Sequence, residues 1–252
     1  MIPTMRASVM IRVLVLVVGL VPSLAACSSS GKDAKSPAIT VFAAASLKSA
    51  FEEIAKDHDG TVTFNFDGSQ NLVSGLENGA RADVLATADQ ITMKKAAEKQ
   101  LVVPPSVFAT NTLVLVTPRG NPGKVTGLDS SLDGKKLVIC AEGVPCGNGT
   151  ARLAQNLGVT LKPVSEEQKV TDVLGKVTSG EADAGIVYAT DAKSAGDKVD
   201  VVKISGADKV VNWYPIAPTA SAKDRQAAEK FVVLVLSDKG RQVLEKYGFE
   251  TP

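Results

Sequence analysis

The sequence predicts an α/β protein with two lobes, each built on a mostly parallel β-sheet flanked by helices. Short β-branched and aromatic runs alternate along the chain with segments whose apolar residues recur at helical spacing. Strands and helices that alternate in this way form mostly parallel sheets. This alternation breaks at residues 118–120 (PRG) and again at residues 211–217, which indicates that the chain passes into a second lobe and later returns.

The N-terminus has the pattern of a bacterial export signal. Arg6 and Arg12 precede or enter the apolar run at residues 13–21. That run is too short to span a bilayer comfortably, which disfavours a lone transmembrane anchor.

The sequence LAAC, ending at Cys27, resembles a bacterial lipobox, in which cleavage before the cysteine leaves it as the lipid-bearing N-terminus. Residues 1–26 are therefore predicted to be a lipoprotein signal peptide. Residues 27–37 would be the lipidated Cys27 and a polar, flexible tether. We expect the protein to be exported and anchored to the outer face of the cell membrane.

The remaining 226 residues are long enough to bury a sizeable core. Loss of the two leader arginines changes the formal charge from +1 to −1. A near-neutral chain without a basic block argues against a nucleic-acid surface.

The first strand–turn–helix unit carries the first candidate site residue. Residues 39–42 (ITVF) predict a buried strand, and Ser46 lies at the turn that follows it. The apolar face of the next helix comprises Leu47, Ala50, Phe51 and Ile54. Such a turn offers free N–H groups and the positive end of a helix dipole to an anion. The alternative is that Ser46 only caps the helix.

The same unit recurs further along the first lobe. Residues 61–66 predict a strand, and Ser69 begins the helix behind it. Residues 83–87 predict another strand, and Asp89 is expected to cap the helix at residues 90–100. The strand at residues 112–117 is assigned to the end of the first lobe.

The second lobe is predicted from residue 118 onward. Its elements are a strand at residues 137–140, a Gly-rich loop at 142–149, a helix at 150–157, a helix near Val170, and strands at 184–188 and 199–204. The closing segment contains helices at residues 222–236 and 239–247.

Cys140 and Cys146 lie six residues apart, and in an oxidising compartment they form either a disulfide or two separate thiols. His58, the only histidine, lies on a polar stretch and is expected to be a solvated helix-end residue. No cluster of cysteine and histidine surrounds it, so a metal site is not expected.

Several motifs resemble the periplasmic molybdate-binding proteins, the soluble receptors of molybdate ABC importers. They are VFAAASL at residues 41–47, the strand–Ser69–helix unit, RADVLATAD at residues 81–89 and AGIVYATDA at residues 184–192. The resemblance covers nearly the whole mature chain. It implies a type II periplasmic-binding-protein fold with a ligand cleft between the lobes. The implied lobes are residues 38–117 and 118–212, with residues 213–252 returning to the first and hinges near residues 117–118 and 212–215.

The resemblance also implies which residues bind the ligand. Ser46 and Ser69 would each give a hydroxyl and an amide, Cys146 and Val170 their backbone N–H groups, and Tyr188 its phenol. Cys146 departs from the small residue usual at its position, and the match around Val170 is loose. Each residue has a purely structural alternative: a cap for the serines, an apolar helix position for Val170, and a core tyrosine for Tyr188.

Molybdate carries no proton at neutral pH, so a site of donors alone suits it, and tungstate is expected to bind as well. The expected partners are the ABC transporter permease and, through the lipid on Cys27, the membrane. We expect a monomer without a cofactor, in which molybdenum is present only as molybdate. Sulfate or phosphate is the alternative ligand, and Asp67 is the nearby carboxylate that could accept a phosphate proton.

Two other functions remain less favoured. A serine hydrolase would need a base for Ser46 or Ser69, but His58 lies at the far end of the first helix and no G-x-S-x-G motif occurs. A lipoprotein that only binds other proteins would not need a cluster of buried donors. The expected role is binding without chemistry.

Overall fold

The computed structural model describes residues 38–252, which include two five-stranded sheets. The predicted signal peptide, the lipidated Cys27 and the tether lie outside the described residues. The strands are β1 Ala38–Ala44, β2 Thr61–Asp67, β3 Val84–Ala86, β4 Ser106–Asn111, β5 Leu113–Pro118, β6 Leu137–Cys140, β7 Ser165–Glu167, β8 Ala184–Tyr188, β9 Val199–Val202 and β10 Asn212–Pro218. The helices are α1 Lys48–Ile54, α2 Ser69–Glu77, α3 Gln90–Glu98, α4 Pro145–Leu157, α5 Val170–Thr178, α6 Ala189–Ala195, α7 Arg225–Leu236 and α8 Asp238–Lys246.

The first lobe is the sheet β2-β1-β3-β10-β4 with helices α1, α2, α3, α7 and α8. Its centre is β1, which pairs in parallel with both β2 and β3. All four residues of the predicted α1 face are buried: Leu47, Ala50, Phe51 and Ile54. The Phe51 ring packs edge-on to Phe231 of α7, with ring centroids 5.8 Å apart. The helical periodicity therefore predicted the buried face correctly.

The second lobe is the sheet β7-β6-β8-β5-β9 with helices α4, α5 and α6. In each sheet four strands share one direction and one strand runs against them: β10 in the first lobe and β5 in the second. The two reversed strands lie at the points where the chain changes lobe. The two-lobed α/β architecture with mostly parallel sheets is thus confirmed.

The boundary predicted between residues 117 and 118 is wrong. Strand β5 pairs with β8 and β9, so it belongs to the second lobe, and the chain crosses at Thr112. The turn residues after Pro118 interrupt the alternation of strands and helices, and this interruption is what favours a crossing there in the sequence. The actual crossing contains no turn, since the chain passes extended from one sheet into the other. The chain returns to the first sheet at Asn212.

Helix α4 begins at Pro145, five residues before the predicted start, so part of the Gly-rich loop is helical. Proline suits the first helical position because its φ is already helical. A Cβ on Gly147 would lie 1.9 Å from the Ala141 carbonyl oxygen, so only glycine allows this approach. Glycine lowers helix propensity, which explains why the sequence pattern predicted a loop there.

The predicted exposure of His58 is also wrong. Its side chain is partly buried, edge-on to Phe231 with ring centroids 5.8 Å apart, and burial lowers its pKa. Across residues 38–252, no helix is long and apolar enough to span a membrane. The same residues contain no group of three or more histidine, cysteine or acidic side chains arranged to hold a metal ion.

Candidate functional site

All five predicted ligand residues line one cleft between the two lobes. Ser46 and Ser69 belong to the first lobe, and the second lobe contributes Cys146, Val170 and Tyr188. The other lining residues are Ala44, Ala45, Asp67, Gly68, Ala88, Val144, Pro145 and Lys169. The empty volume is about 220 Å³ even when the part open to solvent is included. A space this small suits a small ion rather than an organic molecule.

Ser46 lies in the 3-10 turn Ala45–Leu47, between β1 and α1. Its hydroxyl caps neither the turn nor α1, so the alternative that Ser46 is only a helix cap is wrong. Instead, Ser46 Oγ lies 3.2 Å from the hydroxyl of Tyr214 on β10. The side chain is therefore held by β10, two strands away from β1 in the sheet, and remains at the cleft wall.

Ser69 is the first residue of α2 and is almost completely buried, at 1% exposure. Its Oγ accepts a hydrogen bond from the backbone N–H of Ala88 at 3.0 Å. A hydroxyl that accepts in this way keeps its own proton to donate. Ser69 can therefore donate both its O–H and, as the first helical residue, its free backbone N–H.

Cys146 and Val170 lie in the first turns of α4 and α5. The first N–H groups of a helix have no acceptor within the helix. Together with α2, these helices bring three N-termini to the cleft, each with partial positive charge. The loosely matched position Val170 is thus at a helix start, as predicted.

Cys140 and Cys146 form a disulfide, with their Cα atoms 5.7 Å apart. It joins the end of β6 to the first turn of α4.

We expect the double variant Cys140→Ala/Cys146→Ala to lose about 2 kcal/mol of folding free energy, because the unfolded chain regains the entropy of a short loop. Urea unfolding of both proteins measures this loss. Reduced wild-type protein should match the variant, and equal midpoints for oxidised wild type and variant would contradict it.

Tyr188 is the last residue of β8. Its side chain lines the cleft but is almost completely buried, at 1% exposure. Its hydroxyl accepts a hydrogen bond from Asn212 Nδ2 at 3.0 Å. Burial raises the pKa of the Tyr188 phenol well above its usual value, so the group stays protonated at neutral pH. The ring also packs edge-on to Tyr214, with centroids 5.8 Å apart.

Two charged residues line the cleft. Asp67 Oδ1 accepts from the Gly68 N–H at 2.7 Å, which is the turn role expected for it, although the residue also borders the cleft. Lys169, the N-cap residue of α5, was missed by the sequence analysis. No helical or strand periodicity singles out a lysine at a helix start, so only the fold reveals its place.

Two asparagines that contact the tyrosine hydroxyls at the cleft, Asn111 and Asn212, were not predicted from the sequence. Asn111 Nδ2 lies 2.7 Å from Thr190 Oγ1 and 3.4 Å from the Tyr214 hydroxyl. Asn212 Nδ2 contacts Tyr188. Both asparagines lie where strands pass between lobes, and that position was the one signal that could have indicated them.

The lobes touch across the cleft. Gln70 Nε2 donates to the Gln168 carbonyl oxygen at 2.9 Å, from α2 to the residues before α5. A Cβ built on Gly68 would lie 2.2 Å from the same carbonyl oxygen. The two backbones therefore meet at Gly68 in this closed arrangement.

Asp191, beside Tyr188, is a buried acid whose Oδ2 accepts from the Tyr188 N–H at 3.2 Å. Burial raises its pKa from 3.8 to about 7. The folded state therefore holds a proton that the unfolded state releases between about pH 4 and pH 7. The stability from this group is fully present below pH 3.8 and is lost as the pH rises through about 7.

We therefore expect Asp191→Asn to become more stable relative to wild type as the pH rises from about 5 to about 8, by a few kcal/mol at most. Asparagine keeps an oxygen for the Tyr188 N–H but does not titrate. Calorimetric melting of both proteins across this range gives the difference. A difference that is constant with pH would show that Asp191 is ionised throughout.

The arrangement offers hydroxyl and N–H donors from both lobes around a small cleft. Such a site can hold an anion whose oxygens only accept hydrogen bonds.

Comparisons with known proteins give a consistent result. The family model for bacterial extracellular solute-binding proteins matches residues 39–250. The molybdate-binding protein of Mycobacterium tuberculosis is 43% identical over 248 residues, covering 92% of this chain and 95% of that protein. The molybdate-binding protein of Escherichia coli is 32% identical over 228 residues, with coverages of 84% and 88%. The solved periplasmic molybdate-binding protein of Azotobacter vinelandii superposes with a TM-score of 0.75 at 20% identity, covering 85% of this chain and 99% of that one.

Proposed function

Because this chain belongs to the family of bacterial extracellular solute-binding proteins, we propose that it captures molybdate between its two lobes and delivers it to an ABC importer. A member of this family binds its solute and is not an enzyme. The observation that carries the choice of ligand is the cleft itself, where hydroxyl and N–H donors from both lobes surround a small space. The names of the mycobacterial and E. coli relatives support the same ligand.

The proposed mechanism is binding followed by closure. The anion docks on Ser46 and Ser69 of the first lobe. The second lobe then adds the N–H groups of Cys146 and Val170 and the Tyr188 phenol. These added contacts make the ligand favour the closed state. The hinges are the two lobe crossings, at Thr112 and just before Asn212, and the transporter permease recognises the closed form.

Helix N-termini and Lys169, which lines the cleft, balance the charge of the ligand. The helices that begin at Pro145, Ser69 and Val170 direct partial positive charge at the cleft. Tungstate has the same charge and proton count as molybdate, so we propose that it binds too.

Sulfate and phosphate are the alternative ligands for this architecture. Hydrogen phosphate needs an acceptor for its proton, and Asp67 is a carboxylate at the cleft. Its Oδ1 accepts from the Gly68 N–H, and both of its oxygens lie 3.3 Å from Asn71 Nδ2. These contacts hold the carboxylate in the turn, which supports molybdate over phosphate. Sulfate differs from molybdate in size rather than in proton count, so affinity has to separate the two.

We also propose that the mature protein begins at a lipid-bearing Cys27 and acts as a monomer at the outer face of the cell membrane. The basis is the sequence alone: the short apolar run, the lipobox-like LAAC sequence and the polar tether. Globomycin, which blocks lipoprotein signal cleavage, should leave the precursor uncleaved. A mature N-terminus at any other residue would contradict the lipidation.

Calorimetric titration with molybdate, tungstate, sulfate and phosphate tests the ligand. Tight binding of molybdate and tungstate with far weaker binding of sulfate is the expected result. A preference for phosphate would bring Asp67 into the site and overturn the proposed ligand. Failure to bind any of the four would leave Ser46 and Ser69 as structural residues.

A further inference from the structure

Asn212 is buried at the start of β10, where the chain returns to the first lobe, and its amide touches both lobes. Its Nδ2 lies 3.0 Å from the Ala88 carbonyl oxygen of the first lobe and 3.4 Å from the Pro145 carbonyl oxygen of the second. Carbonyl oxygens only accept, so the atom facing them is the amide nitrogen. The third contact of this nitrogen is the Tyr188 hydroxyl at 3.0 Å.

The other amide atom supports the same orientation. Asn212 Oδ1 is buried and has no hydrogen-bond partner among residues 38–252. An unpaired buried acceptor costs free energy. The fold accepts that cost at a position where the nitrogen makes three contacts, which indicates that the donor is the functional end of the side chain.

A hydrogen bond from Asn212 fixes what Tyr188 can offer the cleft. The phenol oxygen accepts from the amide, which leaves the proton of the group to be donated elsewhere. Tyr188 is therefore held as a donor.

Asn111 has the corresponding place at the other crossing. It contacts the Tyr214 hydroxyl at 3.4 Å, and Tyr214 in turn lies 3.2 Å from Ser46 Oγ. When Tyr214 accepts from Asn111 and donates to Ser46, the Ser46 proton is left for the cleft. Ser69 already accepts from the Ala88 N–H. The hydroxyls of Tyr188 and Ser69 thus accept a hydrogen bond from the protein, and that of Ser46 can accept one from Tyr214.

We propose that Asn212 is a positioning residue that holds the Tyr188 proton toward the anion; this inference rests on the proposed function. Asn111 has the same role for the Ser46 proton, on which it acts through the Tyr214 hydroxyl. Because the Asn212 amide also joins Ala88 to Pro145, the donor is oriented in the same closed arrangement that brings the lobes together. An anion that carries a proton then meets donors at Ser46, Ser69 and Tyr188, so its own O–H finds no acceptor among these three hydroxyls. Asn212 therefore contributes to selection of proton-free anions.

The test compares wild type, Asn212→Leu, Tyr188→Phe and the double variant by calorimetry with molybdate and inorganic phosphate. Leucine has the branching of asparagine but no donor. We expect Asn212→Leu to lower the molybdate-to-phosphate affinity ratio about tenfold, because the Tyr188 O–H can then rotate away and leave its oxygen to accept the phosphate proton. In the Tyr188→Phe background, the same substitution should no longer change the ratio.

Equal weakening of both anions by Asn212→Leu would overturn the inference, because Asn212 would then only join the lobes. A ratio change that persists undiminished in the Tyr188→Phe background would overturn it as well. If Asn212→Leu does not fold, Tyr188→Phe alone must lower the ratio, and an unchanged ratio contradicts the inference. Wild-type protein that does not bind molybdate would instead refute the proposed function itself, so the two failures are distinguishable.

Discussion

Replacing Gly68 with alanine should keep the lobes from closing and weaken molybdate binding about 100-fold or more. The new Cβ would lie 2.2 Å from the Gln168 carbonyl oxygen, so the backbones of the two lobes would have to separate. Gly68 has φ −58° and ψ 135°, which alanine adopts freely, so the first lobe itself is not strained. Loss of two hydrogen bonds from the second lobe, at about 1.5 kcal/mol each for a charged partner, corresponds to a factor of about 100.

Two measurements separate closure from folding. Calorimetry gives the affinity, and small-angle scattering shows whether molybdate compacts the protein. Gly75→Ala is the matched control, since Gly75 lies on α2, the helix that Gly68 precedes as N-cap, and its Cβ would be 3.7 Å from the nearest atom, an ordinary contact. Wild-type affinity in Gly68→Ala would mean that the ligand is held without this approach of the lobes.

Replacing Ser46 with alanine should weaken molybdate binding by about 1.5–3 kcal/mol, the usual contribution of a hydrogen bond to a charged group. This corresponds to a loss of roughly 10-fold to 150-fold in affinity. Ser46 caps no helix, so the fold should tolerate the change. The Tyr214 hydroxyl keeps its contact with Asn111.

The control for this substitution is Ser49→Ala, an exposed serine on α1. Calorimetry should give wild-type affinity for Ser49→Ala and reduced affinity for Ser46→Ala, with equal melting temperatures. Unchanged affinity in a folded Ser46→Ala protein would remove this residue from the site and leave its contact with Tyr214 as packing.

Local sequence patterns predicted most of the elements because each pattern has a local physical cause. The α1 face follows from helical periodicity. Asp89 was expected to cap α3, and its Oδ1 accepts from the Thr92 N–H at 2.8 Å. Where tertiary contact outweighs local propensity, the patterns failed. Gly147 lies in a helix because α4 packs against Ala141, and His58 is partly buried because α7 covers it.

Sequence patterns were enough to predict the alternation of strands and helices, the return of the chain to its first lobe and, through family resemblance, five residues that line one cleft. These features depend on periodicity and on motifs that are contiguous in the chain. The folded arrangement was needed to locate the residue where the chain crosses and to establish that Cys140 is bonded to Cys146. It alone placed Asn212 against Tyr188 and Gly68 against Gln168. The last two contacts join residues that are far apart in sequence, so no local pattern records them, and they form only when the two lobes pack together.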